Sequence, residues 1–206
     1  MVPTSVIGGR RTLFVMATDH EYGAQLRTRI DPVITGVGPI EAAAGTALAL
    51  AELAAAETLP ALVVSLGSAG SRRCELGRVY QVREVMWRDI DASPLGIPAG
   101  VTPFADFAAA LPLETPLSDW PSATLSTGAD VVSGDAYDAI GADMVDMETY
   151  AVVRAAARFG VPVMGLRGVS DGPGELGELL DWTGLLGELD ARLAEAVDAL
   201  SESHGF

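Results

Sequence analysis

Short apolar runs of β-prone residues alternate along this chain with longer alanine-rich or amphipathic stretches. Residues 12–17 (TLFVMA), 32–35 (PVIT), 61–66 (ALVVSL), 79–87 (VYQVREVMW), 123–132, 144–147 (MVDM) and 161–169 (VPVMGLRGV) each read as a strand. Several are apolar without alternation, the pattern of strands covered on both faces. Helices are expected over 40–56, introduced by Gly36-Val37-Gly38-Pro39, and over 149–159, stopped by Gly160 and Pro162. A terminal amphipathic helix is expected over 179–201, where Leu186, Leu189, Leu193, Val197 and Leu200 recur at helical spacing. Residues 104–111 read as a short helix. Gly67-Ser68-Ala69-Gly70-Ser71 reads as a small-residue turn after its strand, and residues 1–11 are expected to be loosely ordered. Pro94, Gly96, Pro98, Gly100 and Pro103 deny regular structure to 92–103, leaving a long loop of the kind that serves as a lid or interface.

Strands alternating with helices imply α/β architecture: one domain over 1–206, with a mixed, largely parallel sheet flanked by helices on both faces. Such sheets bind ligands beyond the carboxyl ends of their strands. Several expected strand ends carry small or ionisable residues: Asp19-His20-Glu21, Gly67 to Gly70, Asp146 and Glu148, and Asp171 after Arg167.

Charge and composition remove several functions. Against 13 Lys and Arg stand 28 Asp and Glu, a formal net charge of −15, which disfavours nucleic acid and anionic membrane surfaces as partners. The most apolar run, 42–51, is bracketed by Glu41 and Glu52 and is too short to cross a bilayer. The N-terminal charges follow the apolar residues, so no export signal is expected. Cys74 has no second cysteine to pair with, and His20 and His204 are too few for a Cys/His metal cluster. A reducing, cytoplasmic setting, no metal and no cofactor are the expectations. Cys74, beside Arg72 and Arg73, reads as an uninvolved thiol.

Each candidate has a plain structural alternative. Glu148 is placed to cap a helix, Asp171 before Gly172-Pro173 to shape a turn, and Glu21 to lie in a solvated loop. Asp146 reads as structural and Met147 as core. Trp87, Trp120 and Trp182 read as packing or interface residues. Arg167, inside an apolar run, must meet a carboxylate in any reading, since an unpaired buried charge is strongly destabilising.

The segments ATDHE, TGVGPIEAA, SLGSAGS, RDIDASPLG, VSGDAY, VDMET and GLRGVSD occur in this order from Ala17 to about Pro173. Together they resemble the purine nucleoside phosphorylase/nucleosidase superfamily, and within it the 5'-methylthioadenosine/S-adenosylhomocysteine nucleosidases. No one segment decides the matter; their order does. The resemblance implies that Glu21 activates water and that Asp171 hydrogen-bonds the adenine and protonates N7. It implies that Glu148 binds the ribose hydroxyls, with Met147 beneath the sugar and Val37 beside it. Ser68, Ala69 and Gly70 would line the purine pocket, Tyr137 would stack on the base, and Arg167 and Ser170 would position the acid. Leu95 would enter the neighbouring subunit's site, so a homodimer is implied. Thr18 stands where many members have Met, Leu95 where an aromatic is common, and the stretch before TGVG is shorter than usual.

Breaking an N-glycosidic bond passes through an oxocarbenium-like sugar, so the leaving base needs a proton and water needs a base on the opposite face. That is the logic of inverting glycoside hydrolysis. An apolar pocket or a neighbouring carboxylate would keep Asp171 protonated. The expected activity is therefore release of adenine from methylthioadenosine or S-adenosylhomocysteine. Phosphorolysis, hydrolysis of another purine nucleoside such as futalosine, and a silent nucleoside-binding regulator are the alternatives.

Overall fold

In β2 (Arg10–Met16), Leu13 and Val15 turn to one side of the sheet and Phe14 and Met16 to the other, and all four are buried. The computed structural model describes residues 1–172, 174 and 184–203. Leu13 and Val15 join Val63 and Val163 against Leu50 and Leu53 of α1 (Pro39–Ala55) and Val152 of α2 (Thr149–Ala157). Phe14 and Met16 join Val64, Leu66 and Leu166 against Leu193, Val197 and Leu200 of α3 (Leu186–Glu202). Apolar side chains on both faces explain why these strands lack alternation. Each fully buried Leu, Phe or Met contributes about 2 kcal/mol of burial free energy.

The remaining strands are β1 (Ser5–Ile7), β3 (Val33–Ile34), β4 (Leu62–Gly70), β5 (Val79–Trp87), β6 (Ala110–Pro112), β7 (Ser122–Thr127), β8 (Met144–Asp146) and β9 (Val163–Asp171). Pairing is parallel for β2 with β3, β2 with β4, β4 with β9, β5 with β7 and β7 with β8. It is antiparallel for β1 with β2, β4 with β8, β5 with β6 and β5 with β9. The sheet is thus mixed and largely parallel, with helices on both faces. Strands β4, β9, β5, β7 and β8 pair in sequence and β8 returns to β4, so this part of the sheet closes into a ring.

Several expectations from sequence change. Residues 1–11 are not loose: β1 folds back on β2 through Gly8 and Gly9, both at positive φ. Gly67 to Gly70 is not a turn but the continuation of β4, paired with Arg167 to Asp171 of β9. Gly70 has no room for a side chain, because a Cβ there would overlap the Tyr137 hydroxyl and the Asp171 carboxylate. Residues 104–111 form no helix; Phe104 stands exposed at φ 59 and only Ala110–Pro112 is regular, as β6. Strand β7 stops at Thr127, before Gly128. Between β2 and β3 the chain makes two 3₁₀ turns, Asp19–Glu21 and Leu26–Thr28. The expected helix start at 179 and Trp182 lie outside the described residues.

Candidate active site

Pairing between β2 and β4 ends at Val15 and Ser65, yet β4 runs on to Gly70. Its edge beyond Ser65 would expose backbone N–H groups, which must find partners where water is excluded. Glu21 supplies one: its Oε1 accepts the Ser68 N–H at 2.7 Å, and its side chain is only 7% exposed. The 3₁₀ turn that delivers it starts at Thr18, whose hydroxyl accepts the His20 N–H at 3.3 Å. Glu21 therefore sits over the end of β4 and is not in a solvated loop.

Asp146, the last residue of β8, is buried and receives Arg167 twice, Nε at 3.1 Å and Nη2 at 3.0 Å. It also accepts the Thr149 N–H at 2.9 Å, the Thr149 hydroxyl, and the Thr127 hydroxyl at 2.5 Å. Arg167, 2% exposed, spends its other donors on Ser65 O, Leu166 O, Ser65 Oγ and Thr149 Oγ1, at 2.6 to 3.1 Å. The arginine meets a carboxylate as its burial demands. That partner is Asp146 and not Asp171, and the same bonds fix the start of α2.

Because Asp146 takes the Thr149 N–H, Glu148 makes no cap to its own helix. Its Oε1 instead accepts the N–H of Gly38 at 2.8 Å, the residue that precedes α1 and has φ 98. The N-terminal end of α1 favours negative charge there. Burial nonetheless raises the Glu148 carboxyl to about 7, with the Asp146 charge adding to the rise and the Gly38 hydrogen bond and Arg167 opposing it.

Asp171 ends β9. Ser170 Oγ donates to its Oδ1 at 2.6 Å, and the Tyr137 hydroxyl to its Oδ2 at 3.4 Å. Burial raises the Asp171 carboxyl while both hydrogen bonds pull it back. Burial, then the Asp171 charge, also raises the Tyr137 hydroxyl. The tyrosine is 2% exposed, and its ring packs with Val132 and Val145 behind Asp171. Its neighbours Val132 and Val145 line the cavity and Tyr137 itself lies behind them, where the resemblance leads one to expect a ring stacked on the base. Tyr137 lies on the 3₁₀ turn Gly134–Ala139, which precedes β8 by a short link. Arg73 holds the link by donating to Gly141 O at 2.6 Å and Ala142 O at 2.8 Å.

These carboxylates face one cavity of about 510 Å³. Glu21, Val37, Ser68, Ala69, Gly70, Met147, Glu148, Arg167, Ser170 and Asp171 all line it, so ten of the twelve residues expected at the site meet there. Tyr137 lies behind it, and Leu95 lies outside it on an exposed 3₁₀ turn, Ser93–Leu95, with 76% of its surface open. Arg88 also lines the cavity and was missed, although it directly follows β5, a strand end in the sequence pattern. It donates to Ser126 O at 2.7 Å, Asp146 O at 3.0 Å and Asp130 O at 2.5 Å, tying β7, β8 and the wall at 130–132 together. Thr18, Val131 and Val132 line it as well. Burial raises the Cys74 thiol. Among the described residues no group of three or more His, Cys, Asp or Glu is arranged to hold a metal, and no helix is long and apolar enough to cross a membrane.

A ring-closed α/β sheet with buried carboxylates around one strand-end cavity has the architecture of a small-molecule site. The phosphorylase superfamily model matches residues 27–202, and the chain belongs to that superfamily. No curated protein sequence matches the chain. Among solved structures, it is similar to the 5'-methylthioadenosine/S-adenosylhomocysteine nucleosidase of Neisseria meningitidis in complex with methylthio-immucillin-A. The TM-score is 0.77 at 19% identity, covering 93% of this chain and 98% of that one. The nucleosidase of the same designation from Colwellia psychrerythraea 34H, in complex with adenine, gives 0.74 at 18% identity, covering 92% and 95%. Futalosine hydrolase of Helicobacter pylori strain 26695 gives 0.66 at 16%, covering 93% and 94%. At these identities the likeness establishes a shared fold.

Proposed function

We propose that this protein hydrolyses the N-glycosidic bond of 5'-methylthioadenosine, S-adenosylhomocysteine or both, releasing adenine. The observation that carries the reading is the separation of three carboxylates around one cavity, each in a different environment. Asp171, raised by burial, is suited to hold a proton and deliver it to N7 of the leaving base. Glu21, anchored on the Ser68 N–H, is the base that activates water. Glu148 accepts the ribose hydroxyls beside Gly38, with Met147 beneath the sugar and Val37 beside it. Water activation and base protonation by separate acids follow the inverting scheme. Superfamily membership and the nucleosidase designations of the similar folds support the same reading.

The cations favour hydrolysis over phosphorolysis. Arg167 is committed to Asp146, Thr149 and the carbonyls of Ser65 and Leu166. The charge of Arg88 is felt at Tyr137, on the Asp171 side of the cavity. A phosphate attacking the sugar would meet Glu21 and Glu148 instead, which repel it. The protein acts in this reading as a cytoplasmic homodimer, with the partner subunit's Leu95 closing the mouth where Val37 and Val131 stand exposed.

The test is incubation with methylthioadenosine in phosphate-free buffer, following adenine and methylthioribose. Adenine release without phosphate is expected; release only on adding phosphate would sink the hydrolase reading. A second reading, hydrolysis of another purine nucleoside such as futalosine, is favoured by Thr18 lining the cavity where the resemblance leads one to expect Met. A panel of purine nucleosides with different 5' groups separates the two, and binding without turnover of any of them would mark a regulator.

A further inference from the structure

Asp190, on the inner face of α3, is 6% exposed, and the site chemistry described above does not use it. Its Oδ2 accepts the N–H of Gln25 at 2.8 Å and its Oδ1 the N–H of Leu26 at 3.0 Å. Gly23 presses against the same carboxylate so closely that a Cβ there would stand 2.5 Å from Asp190 Cγ and 2.6 Å from Oδ2. Further along, Arg29 binds Asp198 of α3 through Nε, at 2.8 and 2.9 Å, and Nη2, at 2.8 Å. The stretch between β2 and β3 that carries Glu21 is therefore strapped to α3 at two places along that helix.

The position of α3 is itself set against the sheet. Leu189, next to Asp190, packs directly on Gly168 of β9, where a Cβ would stand 2.7 Å from Leu189 Cδ2. Gly168 is the register partner of Ser68 on β4, and Ser68 donates its N–H to Glu21. A closed circuit results: Ser68 to Glu21, along the chain to Gln25 and Leu26, across to Asp190, through Leu189 to Gly168, and over the strand pair to Ser68 again. One side of the circuit is the carboxylate's own hydrogen bond, and the other is the buried clamp.

We propose that Asp190 is a positioning residue for Glu21, holding the turn Asp19–Glu21 at the height where the carboxylate reaches Ser68 and the cavity. The catalytic half of this proposal rests on the reading of Glu21 as the group that activates water. Displacing a reacting group by about 1 Å can lower a rate about a hundredfold while leaving substrate contacts made elsewhere intact. Asn at 190 accepts one of the two N–H groups and confronts the other with a donor, whereas Gly23→Ala pushes the carboxylate away without removing it.

The experiment measures amide hydrogen exchange and steady-state kinetics on the full chain for Asp190→Asn and Gly23→Ala. Expected are faster exchange at Ser68 together with Gln25 and Leu26, and a kcat loss approaching about a hundredfold with KM and adenine affinity little changed. Loss of protection at Gln25 and Leu26 alone, with Ser68 still protected and kcat per folded molecule unchanged, would overturn the proposal and leave Asp190 a local cap. Should the wild-type protein turn over no purine nucleoside, the reading of Glu21 fails, and exchange at Ser68 still decides whether Asp190 positions it. Should Asp190→Asn not fold, Gly23→Ala carries both measurements.

Discussion

Glu148 lies on the N-terminus of α1 and not on that of its own helix: its Oε1 is 2.8 Å from the Gly38 nitrogen, while Asp146 takes the Thr149 N–H. The acid is thus shared between two helices without capping the one it precedes. Asp146 does the capping, and Glu148 is left facing the cavity.

This arrangement gives a pH dependence of known sign. The Glu148 carboxyl, ordinarily near 4.5, stands at about 7 in the folded protein. Between those values the folded state binds more protons than the unfolded chain, so this group's contribution to stability is full below about 4.5 and declines as pH rises through about 7. Asp171, also raised, acts in the same direction. Glu148→Gln keeps an acceptor for the Gly38 N–H and removes the charge. The variant should gain stability relative to wild type on moving from pH 5 to pH 8, on the order of 2 kcal/mol, while its KM for nucleoside rises. Thermal denaturation across that range checks it; parallel wild-type and variant curves would contradict it.

Ser170 and Tyr137 both hold the Asp171 carboxyl down against burial, and Ser170 is the stronger influence. Its bond is 2.6 Å against 3.4 Å for the tyrosine. If protonated Asp171 is the acid, activity falls as pH rises through its pKa. Ser170→Ala should move that falling limb to higher pH, Tyr137→Phe should move it less in the same direction, and Asp171→Asn should lose most of kcat at every pH. Profiles of kcat/KM against pH test the order. A limb that moves downward in Ser170→Ala excludes Asp171 as its source.

The course of the strands was readable because covered strands are apolar throughout and helices carry their own punctuation. What misled was smallness. Gly67 to Gly70 has the composition of a turn, but its two glycines face Glu21 at one end and Tyr137 and Asp171 at the other, where a Cβ would crowd those side chains. Tyr137 keeps the family's motif, while its ring is buried with Val132 and Val145 and its hydroxyl turns to Asp171. A carboxylate partner for Arg167 is legible in its apolar surroundings, but the choice of Asp146 at the end of β8 depends on strand pairing that composition does not carry. Arg88 was visible as a strand-end residue, and its three carbonyl partners on separate segments were not.

Those three bonds make Arg88 a mechanical tie at the cavity wall. Arg88→Met should leave the carbonyls of Ser126, Asp146 and Asp130 without it and destabilise the protein by about 2–3 kcal/mol. Its effect on catalysis should fall mainly on KM, because the wall at 130–132 loosens while Glu21 and Asp171 keep their own anchors. Arg88→Lys, which cannot span three acceptors in the same plane, should lie between the two. Chemical denaturation with steady-state kinetics measures both; a kcat loss without a KM change would place Arg88 in the chemistry itself.

Glu21 offers the sharpest separation of anchoring from chemistry. Glu21→Gln retains a carbonyl oxygen that can accept the Ser68 N–H, so the turn and the end of β4 should survive and stability should change little. An amide cannot take a proton from water, so kcat should fall by about a hundredfold to ten-thousandfold, the range general-base removal gives. Gly67→Ala probes the same group from the other side, since its Cβ would stand 3.1 Å from Glu21 Oε2 and push the carboxylate without neutralising it. That variant should lose less kcat than Glu21→Gln and keep the wild-type shape of its pH profile. If Gly67→Ala is the more damaged of the two, the carboxylate's charge is not what the reaction uses at this position.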